Sequence, residues 1–119
     1  MDHSLDFLAL VDDAKTRIRQ ISIDDWLAQK PKPLLIDVRE DDEWRAGHAA
    51  SAEHLGKGVI ERDICERVPN KSEKLVLYCG GGFRSALAAD ALQRMGYTEV
   101  RSLVGGYKAW LASNLPTEK

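Results

Sequence analysis

Long apolar runs are missing from this chain. No stretch approaches the roughly 20 consecutive apolar residues that cross a bilayer as a helix, so no membrane partner is expected. A basic surplus is missing too: 17 Lys and Arg stand against 19 Asp and Glu, a formal net charge of −2. Without a polybasic run or basic stripe, nucleic acid and anionic membrane surfaces are poor partners. Cysteine is scarce, and Cys65 and Cys79 make no disulfide framework. They read as free thiols of a reducing compartment. The opening residues "MDHSLDFLAL" begin acidic and carry no basic segment ahead of an apolar one. A secretory signal is therefore not expected, and a cytoplasmic location is. His3, His48 and His54 lack metal-ligand spacing, and zinc needs three or four convergent ligands. No metal and no cofactor is expected. Repeats, linkers and low-complexity segments are absent as well.

What remains is an ordinary globular composition, 44% apolar and 30% charged over 119 residues. That is enough for one domain with a single core. Residues 5–19 place Phe7, Leu10, Val11, Ala14 and Ile18 at helical spacing, which predicts an amphipathic helix lying on the core. A short extended piece follows, then Ser22 or Asp24 as N-cap of a brief helix carrying Trp26 and Leu27. Pro31 and Pro33 end it. "LLIDV" (34–38) and "LVLY" (75–78) read as strands buried on both faces, and "EVRSL" (99–103) as a third. "EDDEWRAG" (40–47) predicts an acidic helix stopped at Gly47, its residues 40–43 a solvated face. Arg84 to Met95 predicts a helix with Asp90 and Arg94 paired at i,i+4 and Gly96 as its stop. "GGYKAWLAS" turns into a last helix holding Tyr107, Trp110 and Leu111. Trp26, Trp44 and Trp110 are expected as core or near-core anchors. Strands alternating with helices imply an α/β fold with a parallel sheet covered on both sides.

One stretch carries the chemistry. In "LVLYCGGGFRS" (75–85) a strand runs into a cysteine, three glycines, Phe83, Arg84 and Ser85, and then a helix. A loop between strand and helix lies at the carboxyl edge of a parallel sheet, where ligands bind in open α/β folds. It also precedes a helix N-terminus, where unpaired N–H groups favour negative charge. Gly80, Gly81 and Gly82 let successive N–H groups turn onto one point. A thiol at the mouth of that nest is held as thiolate, the nucleophilic form. The plainer alternative is a small core cysteine followed by a turn. Against it stands Arg84, a cation at the helix end that disfavours cations, a conflict that a bound anion resolves.

"CGGGFRS" fits C-x4-R-[ST] and so resembles the active-site loop of single-domain rhodaneses, which are sulfurtransferases. "LLIDVREDDEWRAGH" (34–48) is similar to that family's D-V-R…E-[WFY]…G-H signature, and "GGYKAW" (105–110) to its closing G-G…A-W element. The resemblance spans roughly residues 21–112. It implies a five-stranded parallel sheet flanked by helices, with residues 1–20 as an N-terminal helix packed on the domain, 21–115 as the domain and 116–119 as a tail. It implies a ping-pong reaction: Cys79 takes a sulfane sulfur from thiosulfate or a persulfide donor and passes it to cyanide or a thiol acceptor, a protein thiol included. It assigns Cys79 as nucleophile and persulfide carrier, and the N–H groups of residues 80–84 as the cradle of the outer sulfur. Arg84 would bind the donor's anionic group, and Ser85 would bond within the loop or cap the helix. Asp37 and Arg39 are expected as an internal ion pair, Arg39 with the further option of adding positive potential to the pocket. His48 is expected to be a structural hydrogen-bonder, and Cys65 a half-buried small residue with a resolving role as its alternative.

Two other functions compete with the enzyme. One is a non-catalytic or slow sulfur-relay module that serves a protein partner. The other is a cysteine-loop phosphatase or arsenate reductase. Those enzymes place five residues between cysteine and arginine, whereas four lie between Cys79 and Arg84. The chain also departs from the family after Gly47-His48, with "AASAEHLGKG" where a Pro-Gly-Ala stretch is usual. The pocket wall from residues 49–58 is left open.

Overall fold

The structure is a computed structural model that describes residues 3–119. The amphipathic pattern at the N-terminus forms helix α1 (Leu5–Lys15), capped by the Ser4 hydroxyl accepting from the Phe7 N–H at 3.1 Å. It is shorter than the spacing predicts. Arg19–Ile21 leaves the helix and forms strand β1, hydrogen-bonded in parallel to strand β6 (Val100–Leu103). Val11 and Ala14 are buried as expected, whereas Leu10 is exposed and Phe7 half-buried. Arg19 and Gln20, expected within the N-terminal helix, belong to the sheet instead. Residues 1 and 2 of that span lie outside the described residues.

Helix α2 (Ile23–Ala28) takes Ser22 as its N-cap, the hydroxyl accepting from the Asp25 N–H at 3.0 Å. Strand β2 (Leu34–Asp37) follows, then helix α3 (Asp41–Ala46), then two short strands, β3 (His48–Ala49) and β4 (Glu53–His54). Helix α4 (Ile60–Arg67), not among the expected elements, buries Ile60 and Ile64 at i,i+4 spacing. Strand β5 (Leu75–Tyr78) feeds helix α5 (Phe83–Arg94), β6 feeds helix α6 (Gly106–Ala112), and strand β7 (Thr117–Glu118) closes the chain. Residues 116–119 are therefore no free tail: β7 pairs antiparallel with β3, and the Trp110 indole N–H donates to the Pro116 carbonyl at 2.8 Å.

The main sheet has five parallel strands in the order β1-β6-β5-β2-β4. Period-two alternation sends Leu75 and Leu77 to one face of β5 and Val76 and Tyr78 to the other. The first face packs with Ile36, Val100, Ile60, Ile64, Ala89 and Leu92, beneath α4 and α5. The second packs with Leu35, Leu103, Trp26 and Trp110, beneath α2 and α6. Trp26 and Trp110 meet at 6.2 Å, while Trp44 is half-buried and stacks on His48. No helix among the described residues is long and apolar enough to cross a membrane.

The strand order explains where a site forms. From β2 the chain moves outward to β4, and from β5 it moves the other way to β6. The loops after β2 and β5 diverge, leaving a crevice beyond their carboxyl ends, the switch point at which open α/β folds bind ligands.

Candidate active site

Cys79 follows β5 directly and sits at the floor of a cavity of about 320 Å3 at that crevice. Its residue is 1% exposed, so the thiol is approached through the cavity. The backbone N–H of Gly82 donates to Sγ at 3.2 Å and that of Ser85 at 3.4 Å. Two such donors are the electrostatics that a negatively charged sulfur requires. Only Gly82 among the three loop glycines needs glycine for its backbone, with φ at +102°. Gly80 is small for space instead: a Cβ there would stand 3.3 Å from the Arg84 guanidinium.

The loop's N–H groups face inward because its carbonyls are held from outside. The Tyr107 N–H donates to the Cys79 carbonyl at 2.8 Å, and the Lys108 N–H to the Gly80 carbonyl at 3.1 Å. The first turn of α6 thus takes up the acceptors of the loop, the physical content of the "GGY" element. Gly106 (φ +52°) makes this approach, with the Gly80 backbone 2.9 and 3.0 Å from where a Cβ would stand.

Arg84 lies at the start of α5, as expected, yet it already has a partner. Its Nη1 and Nη2 donate to Glu43 Oε1 at 2.6 Å and Oε2 at 3.0 Å. Those hydrogen bonds hold the Glu43 carboxyl below the usual carboxylate range and raise Arg84 further. The acidic run 40–43 is thus solvated only in part: Asp41 and Asp42 are exposed, while Glu43 reaches into the site. Sequence spacing carries no signal for this pair, since α3 and α5 meet only across the switch point.

Ser85 does not cap α5, whose N-cap is Gly82. Its hydroxyl lies 2.7 Å from that of buried Ser102 and 3.5 Å from Cys79 Sγ. Asp37 and Arg39 form the expected buried ion pair at 2.8 Å. Tyr78 donates to Asp37 at 2.7 Å, and burial together with that carboxylate drives the Tyr78 phenol far above its ordinary value. Arg39 also donates to the Gly47 carbonyl at 2.7 Å and packs 4.3 Å from the Tyr107 ring centre. Arg39 forms no part of the cavity lining, but its charge helps hold down the Glu43 carboxyl that does line it. His48 Nδ1 bonds the Trp44 carbonyl at 2.8 Å, and His54 Nε2 the Arg39 carbonyl at 2.9 Å. Residues 49–58 make no wall of the cavity. Its remaining lining is His3, Phe7, Phe83, Glu43 and Lys108.

Cys65 is exposed rather than half-buried. The Tyr97 hydroxyl at 3.7 Å and the Lys71 ammonium at 3.5 Å hold its thiol below the ordinary value of 9.0. Tyr97 is also 2.6 Å from the Val68 carbonyl, the nearer acceptor for its one hydrogen, so Lys71 is the steadier donor to sulfur. Lys71 further holds the Met95 carbonyl at the end of α5, whereas Cys79 lies at its start. Twelve helical residues, about 18 Å, separate the two ends. A direct disulfide needs Cα atoms within roughly 7 Å, so this fold gives Cys65 no resolving role toward Cys79. Among the described residues no three His, Cys, Asp or Glu side chains cluster as a metal site.

Comparison with known proteins agrees with this geometry. The family model for the rhodanese-like domain matches residues 22–113. The thiosulfate sulfurtransferase GlpE of Coxiella burnetii is 33% identical over 96 residues, covering 79% of this chain and 88% of that protein. The polysulfide-sulfur transferase of Wolinella succinogenes superposes with a TM-score of 0.78 at 29% identity, covering 95% and 87% of the two chains. A Rhodopseudomonas palustris protein of unknown function, described as a possible tyrosine phosphatase, superposes at 0.80 with 27% identity and 99% coverage of each chain.

Proposed function

This chain belongs to the rhodanese-like sulfurtransferase family, and from that premise we propose that it moves a sulfane sulfur through a persulfide on Cys79. The observation that carries the proposal is the Cys79 sulfur at a cavity floor under the N–H groups of Gly82 and Ser85. With thiosulfate as donor, Sγ attacks the sulfane sulfur, a new S–S bond forms, and the donor's S–S bond breaks with sulfite leaving on the electron pair. Cyanide or a thiol acceptor, a protein thiol included, then attacks the outer persulfide sulfur and returns the Cys79 thiolate. Gly80, Gly81 and Gly82 leave room and N–H groups for the outer sulfur. Arg84, released from Glu43, meets the donor's oxyanion.

The Arg84–Glu43 pair favours a second reading, a slow relay to a protein partner, because it withholds the loop cation from a small anion. A phosphatase reading is opposed by the four-residue interval from Cys79 to Arg84, one fewer than a phosphate-sized nest uses. Turnover with thiosulfate and cyanide, beside hydrolysis of p-nitrophenyl phosphate, separates the three. Thiocyanate production lost in Cys79→Ser, without phosphate release, supports the enzyme. Phosphate release lost in the same variant overturns it. Persulfide formation with negligible thiocyanate production assigns the relay.

A further inference from the structure

The cavity over Cys79 has one wall that lies outside the matched family region. His3 and Phe7 precede residue 22 and line it together with Phe83. Ring centres stand 5.1 Å apart for His3 and Phe7, 4.7 Å for His3 and Phe83, and 6.5 Å for Phe7 and Phe83. Phe7 and Phe83 are half-buried and His3 is exposed, so the trio is not sealed in the core. Nor is it needed to anchor α1, because Val11 and Ala14 are fully buried and Arg17 pairs with Asp90 at 2.9 Å. The remaining rim is polar: Glu43, Arg84 and Lys108. At about 320 Å3 the space falls at the lower end of cavities that hold organic ligands, roughly 300–1,000 Å3. Inorganic thiosulfate would use the cationic rim and leave the aromatic wall bare.

We propose that His3 and Phe7 are specificity-determining residues for a sulfur donor with an apolar body, an organic thiosulfonate R–SO2–S−, whose R group packs on the His3–Phe7–Phe83 wall. This rests on the sulfurtransferase reading above. The sulfonyl oxygens face Lys108 and Arg84, while the sulfane sulfur points down at Cys79. An alkyl persulfide fits less well, since it has no sulfonyl oxygens to accept from the cations of the rim. In the transfer, Cys79 Sγ, as thiolate, bonds to the sulfane sulfur. The S–S bond to the sulfonyl sulfur breaks, and the sulfinate R–SO2− departs with the electron pair. Two anions react and two anions result, without a proton, oxidant or reductant. A donor of single charge also suits a rim where Glu43 already meets Arg84.

The test compares benzenethiosulfonate with inorganic thiosulfate, cyanide as acceptor, in the parent protein, Phe7→Ala, Phe7→Leu and His3→Ala. Phe7→Ala should raise KM for benzenethiosulfonate about tenfold, the size of a lost aromatic contact, and leave KM for thiosulfate within about twofold. Phe7→Leu should recover part of that loss. His3→Ala, at an exposed position that does not threaten folding, should act on the same donor in the same direction by about threefold. Equal changes for both donors, or none for either, overturn the proposal while leaving sulfur transfer standing. If neither donor loads the parent protein, the sulfurtransferase reading fails and this one falls with it.

Discussion

Arg84 occupies the first turn of α5, where the helix dipole disfavours a cation. In this structure Glu43 supplies the compensating charge that a bound anion supplies in the sulfur-transfer reaction proposed above. The carboxylate therefore competes with the donor for the guanidinium. Glu43→Gln should lower KM for thiosulfate several-fold, read in steady-state kinetics, and an unchanged KM would show that Arg84 does not meet the donor. The same substitution should cost about 1 kcal/mol or less of stability near neutral pH, the usual worth of a partly exposed ion pair. Because the Glu43 carboxyl is held below its ordinary value of 4.5, its contribution is present above that pH. It is lost as pH falls through the lowered value. The stability gap between parent and variant should therefore close on acidification. A gap that widens there would contradict the pairing.

Cys65 tests a different residue-scale reading. In a Cys79→Ser background iodoacetamide should modify exposed Cys65, and Lys71→Met should slow that reaction near neutral pH by weakening the thiolate. An unchanged rate in Lys71→Met would contradict the contact between that ammonium and the thiol. The Cys65 environment was not legible in the sequence, because Lys71 and Tyr97 converge on it only through the packing of α4 beside α5.

At the scale of elements, the strand–loop–helix unit around Cys79 was readable because each part has its own signal. These are a fully apolar strand, glycines where space and a positive φ are needed, and an alanine-rich helix with a glycine stop at Gly96. What stayed hidden was the partner that shapes the loop. The α6 turn takes the Cys79 and Gly80 carbonyls, and Gly106 is the residue whose lack of a side chain permits it. Gly106→Ala should destabilise the protein by about 2–3 kcal/mol through strain at φ +52° and a clash with loop backbone. Denaturant unfolding reads this as a lower midpoint at constant slope. A change under about 0.5 kcal/mol would mean that the loop tolerates a looser contact with α6. The short strands β3 and β7 went unpredicted for a simpler reason. Two-residue strands carry no periodicity, and their pairing is set by neighbours distant in sequence. Likewise the early end of α1 is a tertiary effect, in which Arg19–Ile21 gives up helical spacing for the exposed edge of β6.

Across the whole molecule, one topological fact gathers the site. Because the chain leaves β2 and β5 in opposite directions, α3 delivers Glu43 and α5 delivers Arg84 to the same crevice. The N-terminal helix adds Phe7 from outside the family region. Alternating strands and helices made the parallel sheet legible, and the order C-x4-R after the central strand located its reactive edge. The identity of the far walls was not legible, since it depends on which helix ends meet over the crevice. The central claim is that Cys79 carries the sulfur. It is tested most directly by intact-protein mass spectrometry of fully reduced protein, before and after thiosulfate, alongside Cys79→Ser and Cys65→Ser. A gain of one sulfur atom is expected in the parent and in Cys65→Ser, removed by cyanide and absent in Cys79→Ser. A sulfur adduct that persists in Cys79→Ser and disappears in Cys65→Ser would contradict it.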